Sequence, residues 1–210
     1  MKRANLEKAF GLKDRIGYAF GDFGCNMNIS FVNDYVMIFY VNCMKIDPAH
    51  FAIILLIAKI FDAINDPIIG GLCDAYTPNR SSKFKPWIKW LSIPLMATSL
   101  LMFVFAQNAP YTLKTAMCLG LYCLWSIFYT GVNVPYGSMQ SVITTNSDER
   151  ASLSSWRSIG AMVAMVPVMM IPFLIYDDND NPVGERFIFA AAFICIVDFI
   201  SYLQTLVQIE

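Results

Sequence analysis

Residues 59–74 read KIFDAINDPIIGGLCD, an apolar run interrupted by one base, an asparagine and three acids. At about 100° per residue, Lys59, Asp62 and Asp66 fall on one helix face, and Asn65 lies beside Asp66 within reach of the same small volume. A charged side chain near the centre of a bilayer costs several kcal/mol unless it faces a polar cavity or a partner. An apolar helix carrying this face therefore predicts a membrane bundle with a polar interior. Two carboxylates at i and i+4 make an oxygen-rich pair suited to a small hard cation or a shared proton. Pro67 follows at once, and its missing N–H frees a carbonyl as a further ligand. The alternative is an ion pair of Lys59 with Asp62 or Asp66 that only orients helices. Two acids and one base leave a negative charge over, which favours the cation reading.

Composition agrees with a membrane chain. Of 210 residues, 57% are hydrophobic and 15% charged, against roughly 25% charged in an ordinary globular protein. The net charge of −1 offers no basic surface for nucleic acid. The six cysteines show no CxxC spacing, which argues against a metal ribbon or a redox pair, and the single histidine, His50, is expected in a loop, which argues against a histidine-based catalytic site or metal cluster. Apolar runs predict an all-α membrane protein with spans at about 16–42, 51–73, 87–107, 113–143, 157–176 and 187–208, after a cytoplasmic segment 1–15. Lys2, Arg3, Lys8, Lys13 and Arg15, then Arg80, Lys83, Lys85, Lys89 and Arg150, fall on one side. Only Lys45, Lys114 and Arg186 fall on the other. The positive-inside rule then puts both termini in the cytoplasm. The acidic, Asn/Pro/Gly-rich segment 177–185 becomes an outer turn.

Other spans also carry polar residues. In the first, Tyr18, Asp22, Asn26 and Asn33 share a face, with Asp34 roughly a third of a turn away. Such a stripe would meet sugar hydroxyls, or it would glue a helix interface together with Gly17, Gly21 and Gly24. Gly131, Pro135 and Gly137 predict a distorted fourth span with Thr130 and Asn133 exposed at the distortion. Arg157 either snorkels to the interface or projects inward as a donor to hydroxyls and carboxylates. Asp198 has no evident partner. The aromatic residues are expected mostly at the lipid face, with Trp156 the one candidate for stacking.

FDAINDPIIG at 61–70, with KFKPWI at 83–88, resembles the glycoside–pentoside–hexuronide cation symporters of the major facilitator superfamily. YAFGDFGCN at 18–26, YTGVNVPYGS at 129–138 and DERASLSSWR at 148–157 support the likeness across nearly the whole chain. The resemblance implies the N-terminal half of a major facilitator fold, a 3+3 inverted repeat. Its melibiose permease branch implies a sodium site at Asp62, Asn65, Asp66 and Thr130, with Lys59 as a charge partner. It implies sugar contacts at Asn26, Asn133 and Arg157, to which Tyr18 and Asp22 are added from the stripe. Carboxylates of that branch are replaced by Asn26 and Asn133, and its stacking tryptophan by Gly137, so melibiose itself is not expected as substrate. Asp22 resembles the xyloside and glucuronide branch.

The implied activity is symport of a glycoside, pentoside or hexuronide with sodium or a proton by alternating access, without an organic cofactor or an enzymatic reaction. A second six-helix half, in the same polypeptide or in another chain, is the expected partner. A non-transporting six-helix subunit or sugar sensor is the alternative reading. The carrier is expected in the plasma (inner) membrane, in contact with lipid.

Overall fold

The computed structural model describes residues 11–75 and 84–208, and among these it is helical with one isolated two-residue bridge. Helix α1 (Leu12–Met37) continues as a π-helical stretch, Ile38–Cys43. Then follow α2 (Pro48–Ala75), α3 (Lys85–Met102), α4 (Tyr111–Ser138) and the short α5 (Gln140–Ile143). The chain ends with α6 (Ser147–Met170), the short α7 (Pro172–Ile175), a 3₁₀ turn at Gly184–Arg186 and α8 (Phe187–Gln208). A long helix covers each of the six apolar runs. Three stretches, Tyr111–Ser138, Ser147–Ile175 and Gly184–Thr205, are long and apolar enough to cross a membrane. Arg80, Lys83 and residues 1–10 lie outside the described residues.

Local chemistry sets several helix ends away from their expected places. Helix α6 starts ten positions before 157 because the Asn146 side chain accepts the Asp148 N–H at 2.9 Å. Asp148 and Glu149 then sit where the helix dipole favours negative charge. His50 is not in a loop. It occupies the first turn of α2, where Asp47 Oδ1 accepts from the Ala49 N–H at 2.8 Å. Helix α4 runs through Gly131, Pro135 and Gly137 and ends at Ser138.

Helix α1 packs against α6 and α8, α3 against α4 and α8, and α2 against α4. The α1–α6 approach depends on Gly160, where a Cβ would fall on the carbonyl oxygen of Ala19. A side chain there would push the helices apart. Aromatics, expected mostly at the lipid face, also fill much of the interior. Tyr18, Phe31, Phe39, Tyr40, Phe103, Tyr122, Tyr136, Phe187 and Tyr202 are all buried. Six long helices around polar interior groups leave wide gaps, which rings fill at low entropy cost. Phe103 is the centre of one such cluster, its ring 4.7 Å from Phe31 and 5.4 Å from Phe39.

The end of the bundle at the α1–α2 and α3–α4 connections is closed by backbone acceptors. Tyr40 donates to the Met102 carbonyl at 2.9 Å. Lys114, expected in an outer loop, is buried in α4, and its ammonium donates to the carbonyls of Met44 and Gln107 at 2.9 Å each. These carbonyls follow helix C-termini, where a cation also meets the negative end of the dipole. Between α7 and α8, the Asp177 carboxylate accepts from the N–H groups of Asn181 and Asn179 at 2.8 and 2.9 Å. Those bonds, Asn181 first, hold its carboxyl below the usual aspartate value. A lowered folded-state value stabilises the turn above the ordinary aspartate range, and that contribution is lost as pH falls through the lowered value.

Replacing Lys114 with Met keeps the stem and removes both bonds. We expect a loss of about 1–3 kcal/mol, read as a drop of several degrees in Tm in detergent. An unchanged Tm would show that the two carbonyls find other donors.

Candidate functional site

The carboxylates of α2 are met rung by rung from α4. Ser126 donates to Asp62, and Thr130 donates to Asp66 at 2.8 Å. Both pairs are four apart in sequence, so two parallel helices in register bring one i, i+4 pair against another. Lys59 approaches Asp62 at 3.3 Å and lies 5.5 Å from the Tyr122 ring centroid. Its side chain is 59% exposed, so this ion pair adds little stability.

Between the helices runs a groove of about 220 Å³, with Lys59, Asp62, Asp66, Ser126, Thr130 and Asn133 among its lining residues. Trp125 and Tyr129 of α4, and Ile29 and Asn33 of α1, complete much of the wall. The groove thus presents two carboxylates, the hydroxyls of Ser126, Thr130 and Tyr129, and two amides. Lys59 neutralises one of the two acids, and the remaining negative charge suits one monovalent cation or one proton.

Asn65 does not join this lining. It is buried, and its amide nitrogen has no hydrogen-bond partner among the described residues. Asn33, on the stripe read as meeting sugar or gluing helices, and Asn133, read as a sugar contact, line the same groove as Asp62 and Asp66.

A second cluster joins α1 to α6. Arg157 Nε donates to Asp22 Oδ1 at 2.6 Å, and Asn26 Nδ2 donates to Asp22 Oδ2 at 2.8 Å. Arg157 therefore projects inward and does not snorkel. Its guanidinium passes over the Tyr136 ring, 5.6 Å from the centroid, and a Cβ at Gly137 would sit 3.3 Å from its Nη1. The glycine at the position of the branch's stacking tryptophan gives the arginine room. Tyr18 is wholly buried, stacked on Tyr136 at 4.8 Å, with each hydroxyl bonded to backbone of the other segment. In this conformation Tyr18 packs α1 on α4 and presents no group to a ligand. Trp156, the one aromatic read as a stacking candidate, is half-buried, whereas Trp125 stacks on Tyr129 at 5.2 Å.

A third cluster was not anticipated. Asn28 of α1 joins Asp198 of α8 at 2.7 Å, Ser99 of α3 at 3.2 Å and Trp125 of α4 at 2.9 Å. Ser126 was likewise missed, although its position four residues before Thr130 mirrors Asp62 and Asp66.

With this geometry in place, relatives narrow the reading. The sequence profile of the family described as MFS/sugar transport protein matches residues 17–210. The chain belongs to that family. It is 35% identical over 82% of its length to the uncharacterized symporter YjmB of Bacillus subtilis, of which it covers 38%. It is 32% identical over 84% of its length to the inner membrane symporter YicJ of Escherichia coli, covering 39%. It is 30% identical over 78% of its length to the isoprimeverose transporter of Lactiplantibacillus pentosus, covering 34%. The family and the apolar helices make this a membrane protein, and the likeness read from FDAINDPIIG and KFKPWI leads to symporters. The chain spans little more than a third of the length of these curated relatives.

The Asp22–Arg157 pair generates a thermodynamic test. Asp22 is 3% exposed and Arg157 35% exposed in their side chains. Arg157→Leu strands a buried carboxylate and should cost about 2 kcal/mol, short of the roughly 3–5 of a wholly buried pair. Adding Asp22→Asn should recover much of that loss in thermal unfolding. A double variant no more stable than Arg157→Leu alone would show that the pair is not what the carboxylate relies on.

Proposed function

We propose that this chain forms the cation-binding half of a sugar symporter. Six spans, 16–208 in all, arranged as a 3+3 inverted repeat with both termini in the cytoplasm, would constitute the half. A second six-helix half, within a longer polypeptide or as a separate chain, would complete it in the inner membrane. The observation that carries the reading is the pairing of Asp62 and Asp66 with Ser126 and Thr130 across α2 and α4. Hydroxyls facing carboxylates give a hard, oxygen-only donor set of the kind sodium takes. A proton would serve the same carboxylates, and the two coupling ions predict different ion dependence.

The substrate is a glycoside, pentoside or hexuronide. Support comes from the family, from the sugar named for the Lactiplantibacillus relative and from the donor-rich Asp22, Asn26 and Arg157 cluster. Arg157 is free to bond a hydroxyl or a hexuronide carboxylate when Asp22 releases it. Asn33 and Asn133 offer further donors and acceptors beside the cation. A cation in the groove neutralises the carboxylates and organises the neighbouring polar groups, so each ligand tightens the other's binding. Rocking of the two halves would then carry both across.

In the complete carrier, Asp62→Asn or Asp66→Asn should abolish sodium- or proton-driven sugar uptake into membrane vesicles while leaving membrane insertion intact. Labelled pentosides, hexosides and hexuronides, isoprimeverose among them, are the panel to screen. Cation-dependent uptake that survives in both variants would sink the assignment.

A further inference from the structure

Asn28 bonds to three other helices, and the chemistry of its partners fixes how its amide lies. The indole of Trp125 is a donor only, so it must face Oδ1, at 2.9 Å. That leaves Nδ2 to donate to Asp198 Oδ2 at 2.7 Å and Ser99 Oγ at 3.2 Å. Asn28 and Asp198 are both wholly buried. No flipped amide satisfies the indole, so the amide orientation is fixed, while the Ser99 hydroxyl can accept from Nδ2 or donate to Oδ1 at 3.4 Å.

The restrained partner is a wall of the cation groove. Trp125 and Tyr129 line it, their rings stacked at 5.2 Å and 18°. Ser126 follows Trp125 directly and donates to Asp62; Thr130, four residues further, donates to Asp66. Rotating α4 by one residue, about 100°, would carry both hydroxyls away from the carboxylates. The Asn28–Trp125 bond opposes that rotation from α1. The same helix carries Asp22 and Asn26, two turns or less before Asn28, clamped to α6 through Arg157.

We propose that Asn28, backed by Asp198, is a positioning residue that sets α4 against α2 in the cation groove and ties that groove to the Asp22–Arg157 cluster on its own helix. The inference rests on the reading of the groove as a cation site. Asn28 touches no ligand; it acts through Trp125. A helix-packing role alone would change melting temperature without changing ion affinity.

The test uses the full-length carrier in detergent, titrated with sodium chloride against choline chloride at constant ionic strength. Apparent sodium affinity is read from thermal stabilisation. Trp125→Phe keeps one aromatic ring and removes the pyrrole ring with its N–H, and Asn28→Ala removes the acceptor. Each should weaken sodium by about 10-fold, and the double variant should also lose about 10-fold, not about 100-fold, because both changes break one bond. Ser99→Ala, which touches Asn28 away from the groove, should stay within about twofold. Melting of Trp125→Phe in choline should fall, because the change opens a cavity and takes the indole donor from Asn28, and its sodium affinity carries the test alone if Asn28→Ala does not fold. Sodium affinity unchanged in Trp125→Phe, or losses that multiply in the double variant, would overturn the inference while leaving the groove in place. A parent protein that sodium does not stabilise would instead overturn the sodium reading of the groove, and the inference with it.

Discussion

Two carboxylates one helical turn apart on an apolar helix constrain everything around them. Helix α2 exposes Ile60, Ile64 and Ile68 on one side and carries Asp62 and Asp66 on another. In hydrocarbon such carboxylates are tolerated only where other polar groups meet them. The chain answers with the hydroxyls of Ser126 and Thr130, placed at the matching interval on α4. That answer demands a fixed register and a fixed rotation of α4. Much of the remaining polar chemistry serves to hold them.

The holding is distributed over α1. Glycines let α1 come close to its neighbours: Gly160 admits the Ala19 carbonyl, and a Cβ at Gly24 would stand 3.0 Å from Ser201. Close approach then lets short side chains reach across, with Asn28 touching three helices and Asp22 reaching Arg157. Small residues and interhelical amides are alternatives only in a sequence; in this bundle the first makes the second geometrically available. At the end of the α1–α2 and α3–α4 connections the π-helical stretch, Tyr40 and Lys114 close the same helices through backbone carbonyls.

Much of this was legible in the sequence. Period and apolar length placed a helix over all six runs. The cost of charge in lipid singled out Asp62, Asp66 and Arg157, because a penalty of several kcal/mol demands a reason wherever it occurs. Serine and buried tyrosine carry no such penalty, so Ser126 and the Tyr18–Tyr136 stack left no comparable trace. Asn28 looked like one more polar residue on α1, since its meaning comes from three partners 71, 97 and 170 positions away. Asn65 shows the converse. Its spacing from Asp62 suggested a ligand, yet its buried amide does not line the groove. Sequence spacing fixes a helical position to within a turn, and side-chain direction decides the rest. Lys114 and His50 were misplaced for a related reason: charge marks a loop on average, while local acceptors and an Asp47 cap hold these two in helices.

The groove as a water-reachable cation site is tested most directly by carboxyl chemistry. Membranes containing the complete carrier would be treated with a hydrophobic carbodiimide, and modified aspartates mapped by mass spectrometry with sodium or choline present. Modification at Asp62 or Asp66 that sodium slows and choline does not is the expected result, with the wholly buried Asp198 unmodified. Modification of Asp62 and Asp66 that is indifferent to every cation and to pH, or confined to Asp198, would contradict a cation site between α2 and α4.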